Sequence, residues 1–150
     1  MGKKRIIKKS KETLLEEKDT VESKIKKGAN VLTSSKTREG KVYISSSYNN
    51  TMITLTNMDG DVLTWASAGS IGFKGTKKAT PFAASKVAES ITLTTKKIGI
   101  EKVAILAKGI GSGRDSAIRS LASHGLSISS ITDLTSIPHN GCRPPKARRV

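Results

Sequence analysis

Between Lys41 and Leu134 the spacing of apolar positions switches from a period of two to a period near that of a helix, and back. KVYISSSY (41–48) alternates as a strand does, and Asn49-Asn50 follows as a pair that tolerates the backbone of a tight turn. TMITLTN (51–57) sets Met52, Thr54 and Thr56 on one side and Ile53 and Leu55 on the other. Asp59-Gly60 predicts a hairpin, and VLTWASA (62–68) a third strand. Three strands joined by two short turns form an antiparallel meander. GSIGFKGTKK (69–78) then breaks the pattern with glycine and lysine, and reads as a loop. Thr80 followed by Pro81 is a helix N-cap with proline at the first helical position. Phe82, Ala83, Val87, Ile91 and Thr94 mark the buried stripe of a helix that runs to Lys97 and stops at Gly99.

KVAILAK (102–108) is nearly continuous in apolar residues, as for a strand covered on both faces. GIGSGRD leads into a second helix over Asp115–Ser123, with Ile118 and Leu121 facing in and Gly125 as its stop. LSISSITDL (126–134) is the fifth strand. The order β-β-β-α-β-α-β makes an α/β fold: a mixed five-stranded sheet whose last two β-α-β units cross over right-handed. Trp65 and Phe82 are expected in its core. There is no internal repeat.

The ends differ from this body. Residues 1–39 read as a basic and charged N-terminal extension, 40–134 as the α/β domain, and 135–150 as an extended basic C-terminal tail. Lys3 to Lys11 is a basic arm, and Leu14, Val21 and Ile25 then fall at helical spacing among charges, with Gly28 as a stop. In the tail, Pro138, Pro144, Pro145 and Gly141 forbid a helix or a central strand. From Pro138 onward there is no acid, while Arg143, Lys146, Arg148 and Arg149 are cationic. Asn140-Gly141 offers little steric protection against succinimide formation.

Charge turns this pattern into a function class. The chain carries 27 Lys and Arg against 12 Asp and Glu, a net charge of +15. Residues 1–36 hold 11 basic and 5 acidic residues, and 37–150 hold 16 and 7, so the excess is spread over body and extension alike. Such a body repels itself unless an anionic partner supplies the counter-charge, and nucleic acid leads over an anionic membrane. No apolar run approaches the ~20 residues of a spanning helix. The Lys-rich start lacks an apolar signal segment, and its acids, Glu12 to Glu22, argue against a transit peptide. The single cysteine, Cys142, cannot form an internal disulfide and suits a reducing cytoplasm.

Two loops concentrate candidate chemistry. Lys74, Lys77 and Lys78 stand on a flexible loop beside an exposed aromatic, Phe73, and suit a sugar-phosphate backbone. In GIGSGR (109–114) glycines can turn N–H groups outward at a helix N-terminus, forming an anion nest with Lys108 and Arg114. Its G-x-G-x-G spacing is not the dinucleotide G-x-G-x-x-G, so no nucleotide cofactor is expected. No clustered carboxylates, metal-ligand spacing or oriented nucleophile is present, so neither catalytic residues nor a metal site is expected. Few aromatics point away from single-strand reading and toward folded RNA, recognised by shape and phosphate. The competing class is a basic interaction module that recruits a partner through the N-terminal helix.

YNNT (48–51), GFKGTKKATPFAA (72–84), KGIGSGRDSAIRSL (108–121) and IPHNGCRPPKARRV (137–150) together resemble the bacterial form of the eleventh small-subunit ribosomal protein, over about 41–150. Within that family pattern, Ser136 stands where proline is common and Ala147 where a basic residue is usual. The resemblance implies a ribonuclease-H-like three-layer sandwich without nuclease residues. It implies a structural protein that binds small-subunit rRNA at the platform, near the mRNA exit and the leader-pairing cleft, and supports subunit assembly and translation. Implied neighbours are the seventh and eighteenth small-subunit proteins, with mRNA nearby, no membrane and no homo-oligomer. The implied location is a cytoplasmic ribosome of bacterial type. The implied rRNA contacts are Asn49, Asn50, Lys74, Lys77, Lys78, Lys108, Arg114, His139, Asn140, Arg143, Lys146, Arg148 and Arg149.

Overall fold

The computed structural model describes residues 39–143, 145 and 146. The expected basic arm, the N-terminal amphipathic stretch, Arg148 and Arg149 lie outside them. β1 (Glu39–Ser46), β2 (Thr51–Thr56) and β3 (Val62–Ser67) form the meander. A one-turn helix α1 (Ala68–Ile71) and a 3-10 turn (Gly75–Ala79) follow, taking up most of the segment 69–78 expected to be all loop and, at Ala68, the last residue expected in the third strand. Then come α2 (Pro81–Ile98), β4 (Lys102–Lys108), α3 (Gly113–Ser123) and β5 (Ser127–Asp133). The sheet order is β3-β2-β1-β4-β5, with β4 parallel to β1 and β5 parallel to β4.

Alternation builds the core. Val42 and Ile44 of β1 face the same side as Leu55 and Ile53 of β2, and Val103 and Ile105 of β4 continue the layer; all six are buried. Fully burying one such side chain contributes roughly 1.5–3 kcal/mol. α2 lies across this layer with Ala83, Ala84, Val87, Ala88 and Ile91 turned in, and packs against α3 through small side chains. Three threonines on α2 would oppose helix formation through their branched Cβ. Thr92, Thr94 and Thr95 each donate back to the carbonyl four residues earlier, which satisfies their hydroxyls inside the helix. The Thr80 hydroxyl caps α2 by accepting from the Ala83 N–H at 3.2 Å, and Gly99 ends it at φ 88°.

Both long helices lie on one face, for a topological reason. β3 and β1 run the same way, so β3-α2-β4 and β4-α3-β5 are both parallel crossovers, and both move in the same direction across the sheet. Right-handed connections then place both helices on the same side. The mixed α/β sheet is as expected, and the described residues supply two layers of the sandwich. Three finer expectations fail on this account. Among the described residues nothing covers the second face of β4, where Ala104 and Leu106 are only half-buried. Trp65 is 58 % exposed, because its position in β3 also faces that side. Phe82 is 60 % exposed, one residue off the buried stripe of α2.

Candidate nucleic-acid interface

β1, β3, β4 and β5 run in one direction, so their C-terminal ends meet at a single end of the sheet. From that end leave the β1–β2 turn with Asn49 and Asn50, the loop with Lys74, Lys77 and Lys78, the glycine loop after Lys108, and the tail after Asp133. The N-termini of α2 and α3 open at the same end, which adds partial positive charge. Only Asp115 and Asp133 among the described acids belong to it. Glu39, Asp59, Asp61 and Glu101 sit at the opposite end, with Lys41, Lys96, Lys97 and Lys102. The charges thus segregate, although the sequence interleaves them.

Hydrogen bonds tie three of these loops to one another and to the end of β1. Gly111 N–H donates to the Ser46 carbonyl at 3.0 Å, joining the glycine loop to β1. The Ser112 hydroxyl donates to the Ala79 carbonyl at 3.1 Å, joining it to the lysine loop. Gly109 N–H donates to Thr135 Oγ1 at 3.0 Å, joining it to the tail. Arg114 donates to Gly109 O at 3.2 Å and to Asp133 Oδ2 at 2.6 Å. Thr135 gives both its N–H and its hydroxyl to Asp133 Oδ1, at 2.8 and 2.6 Å. These bonds, with the Arg114 guanidinium, hold the Asp133 carboxyl down to about 2 from its ordinary 3.8.

The glycines are explained by this close approach. A Cβ on Gly109, which has φ 99°, would lie 2.2 Å from the Ser46 carbonyl oxygen. One on Gly111 would lie 2.4 Å from the Ser47 oxygen, and one on Gly113 2.4 Å from Thr51 Oγ1 and 2.8 Å from Ala84 Cβ. The lysine loop is fixed from beneath instead. Phe73, expected to be exposed, is half-buried against the core and meets Phe82 edge-on, with centroids 6.0 Å apart and planes at 85°.

Of the sequence-predicted residues, Asn49, Lys74, Lys77, Lys108, His139, Asn140, Arg143 and Lys146 are exposed, and Lys78 and Asn50 are half-buried. Asn50 Oδ1 is buried without a hydrogen-bond partner, alone in this among described side-chain atoms. Arg114 is the outlier, because its guanidinium is engaged within the protein. Sequence reasoning missed Asp133, Thr135 and Ser112, whose role is to brace; D-x-T at the end of a strand was the available signal, since it encodes an Asx-type turn. Among the described residues no group of three or more His, Cys, Asp or Glu is placed to hold a metal ion. None of their helices is long and apolar enough to cross a membrane.

Residues 40–149 match the family described as Ribosomal protein S11. A relative named small ribosomal subunit protein uS11c, from Phaeodactylum tricornutum, is 53% identical over 131 residues, covering 87% of this chain and 97% of its own length. The small ribosomal subunit protein uS11 of Treponema pallidum strain Nichols is 53% identical over 112 residues, covering 75% and 89%. That of Cyanidioschyzon merolae, also uS11c, is 52% identical over 113 residues, covering 75% and 93%. These identities indicate a ribosomal location without favouring the bacterial type. The match spans the sheet, both long helices and the tail, and so the chain belongs to the ribosomal protein S11 family, structural proteins of the small ribosomal subunit and not enzymes.

Proposed function

We propose that the loop end of the sheet is the rRNA-binding end, and that the protein works there as a rigid spacer between RNA helices of the small-subunit platform. The observation that carries this reading is the convergence of four separate loops, together holding most of the candidate cations, on one braced end. Lys74, Lys77, Lys78 and Lys108 neutralise phosphates from the loops. Arg143, Lys146, Arg148 and Arg149 do so from the tail, and Asn49, Asn50, His139 and Asn140 add polar contacts. Arg114 acts differently: it holds Asp133 and presents the glycine loop. In this reading the platform position lies beside the mRNA exit and the leader-pairing cleft, with the seventh and eighteenth small-subunit proteins as neighbours, and the protein supports subunit assembly. Photocrosslinking in intact small subunits, mapped to peptides and nucleotides together, tests it. Crosslinks to platform rRNA are expected from peptides 47–50, 72–79, 108–112 and the tail. Crosslinks concentrated on 57–61 and 99–102 would contradict it.

A further inference from the structure

The sheet face opposite α2 and α3 carries an apolar band whose composition is fixed by strand register. Trp65 of β3 stands beside Thr54, Thr54 beside Tyr43, and Tyr43 beside Leu106, so one row crosses four strands. Met52 and Val62 flank this row on β2 and β3. Tyr43 is 36 % exposed, Met52 41 % and Val62 61 %. A sheet face left to solvent normally presents charged and small polar residues. An exposed aromatic and aliphatic band instead marks a surface that something covers.

We infer that residues 11–27 of the same chain dock across this face as an amphipathic helix and complete the third layer. The chain before the sheet ends at Glu39, the first residue of β1, and β1 is the middle strand. The segment therefore enters at the midline of the face. Its reach suffices: residues 28–38, extended, span up to ~36–40 Å, while a five-strand sheet is only ~19 Å across. A 17-residue helix of ~25 Å crosses that width fully. The pattern fits as well, since Leu14, Val21 and Ile25 fall within about 40° of one another on a helical wheel. Both signs of charge flank that stripe, Lys11, Lys18 and Glu22 on one side and Glu17 and Lys24 on the other, and the open face carries Lys41, Lys102 and Lys108 with Glu39. The family match begins at residue 40, while the match to the Phaeodactylum tricornutum relative, over 131 residues of this chain, takes in part of the segment as well.

Trp65 is the sole tryptophan and lies in the band, so its fluorescence reports on the docking directly. In the full chain its emission is expected to be blue-shifted and shielded from acrylamide. Replacing Leu14, Val21 and Ile25 together by Glu is expected to shift the emission to the red and raise the quenching. Deleting residues 1–27 is expected to do the same. All these changes lie outside the sheet and its helices, so they read docking and not the stability of the body. Quenching in the parent equal to that in both variants would overturn the inference. So would shielding that follows protein concentration with a dimer in sedimentation, which would make a second copy the occupant. Shielding that appears only on adding rRNA would equally overturn it, by giving the face to nucleic acid.

Discussion

Asp133 accepts from Thr135 twice and from Arg114 once, and each of these bonds favours its ionised form. Its folded pKa, about 2, lies below the ordinary 3.8. The carboxylate therefore stabilises the fold above pH 3.8, and that contribution is lost as the pH falls toward 2. Asp133→Asn should lower the thermal midpoint near neutral pH, with the gap from the parent closing over this acid window. A gap independent of pH would contradict the assignment. Gly109 meets a harder constraint. Gly109→Ala combines a left-handed backbone with a Cβ driven into the Ser46 carbonyl, and should cost on the order of 3 kcal/mol in denaturant unfolding. A cost below about 0.5 kcal/mol would show that the loop relaxes freely. Asn140 sits at φ 52° beside Gly141, and both are exposed. Peptide mapping of aged protein should find isoaspartate there, and an intact asparagine would count against it.

At the scale of elements, the cap and stop of α2 were legible because each has one chemical cause. Thr80 supplies an oxygen, Pro81 needs no N–H partner, and Gly99 takes a left-handed backbone. Thr80→Ala should therefore cost about 1 kcal/mol. Loss of the cap should also loosen the adjoining lysine loop, which amide exchange at 75–79 would detect; unchanged exchange would show that the Phe73–Phe82 contact holds the loop alone. The strands were legible from alternation, which tells two faces apart but not which face is covered. That ambiguity misplaced Trp65, whose neighbour Ala66 is the buried one. It also misread β4, where Val103, Ile105 and Ala107 alone face the helices. The short α1 and the 3-10 turn carry no apolar period. Only the reciprocal Ser67–Ser70 cap hints at the first.

Across the whole molecule, composition showed the sign of the partner, and motif resemblance singled out the loops. Neither showed that the loops share one end, which follows from four strands running in the same direction. Nor did they reveal that Arg114 is spent on Asp133, a contact between residues 19 positions apart. The central claim is that cations at the loop end, and not net charge in general, bind RNA. The most direct measurement is the salt dependence of affinity for platform rRNA, compared between two triple variants of equal charge loss. Replacing Lys74, Lys78 and Lys108 by Ala should reduce the slope of log K against log [salt] by about 2–3. Replacing Lys96, Lys97 and Lys102 at the opposite end should leave it unchanged. Equal losses from the two triplets would contradict the account.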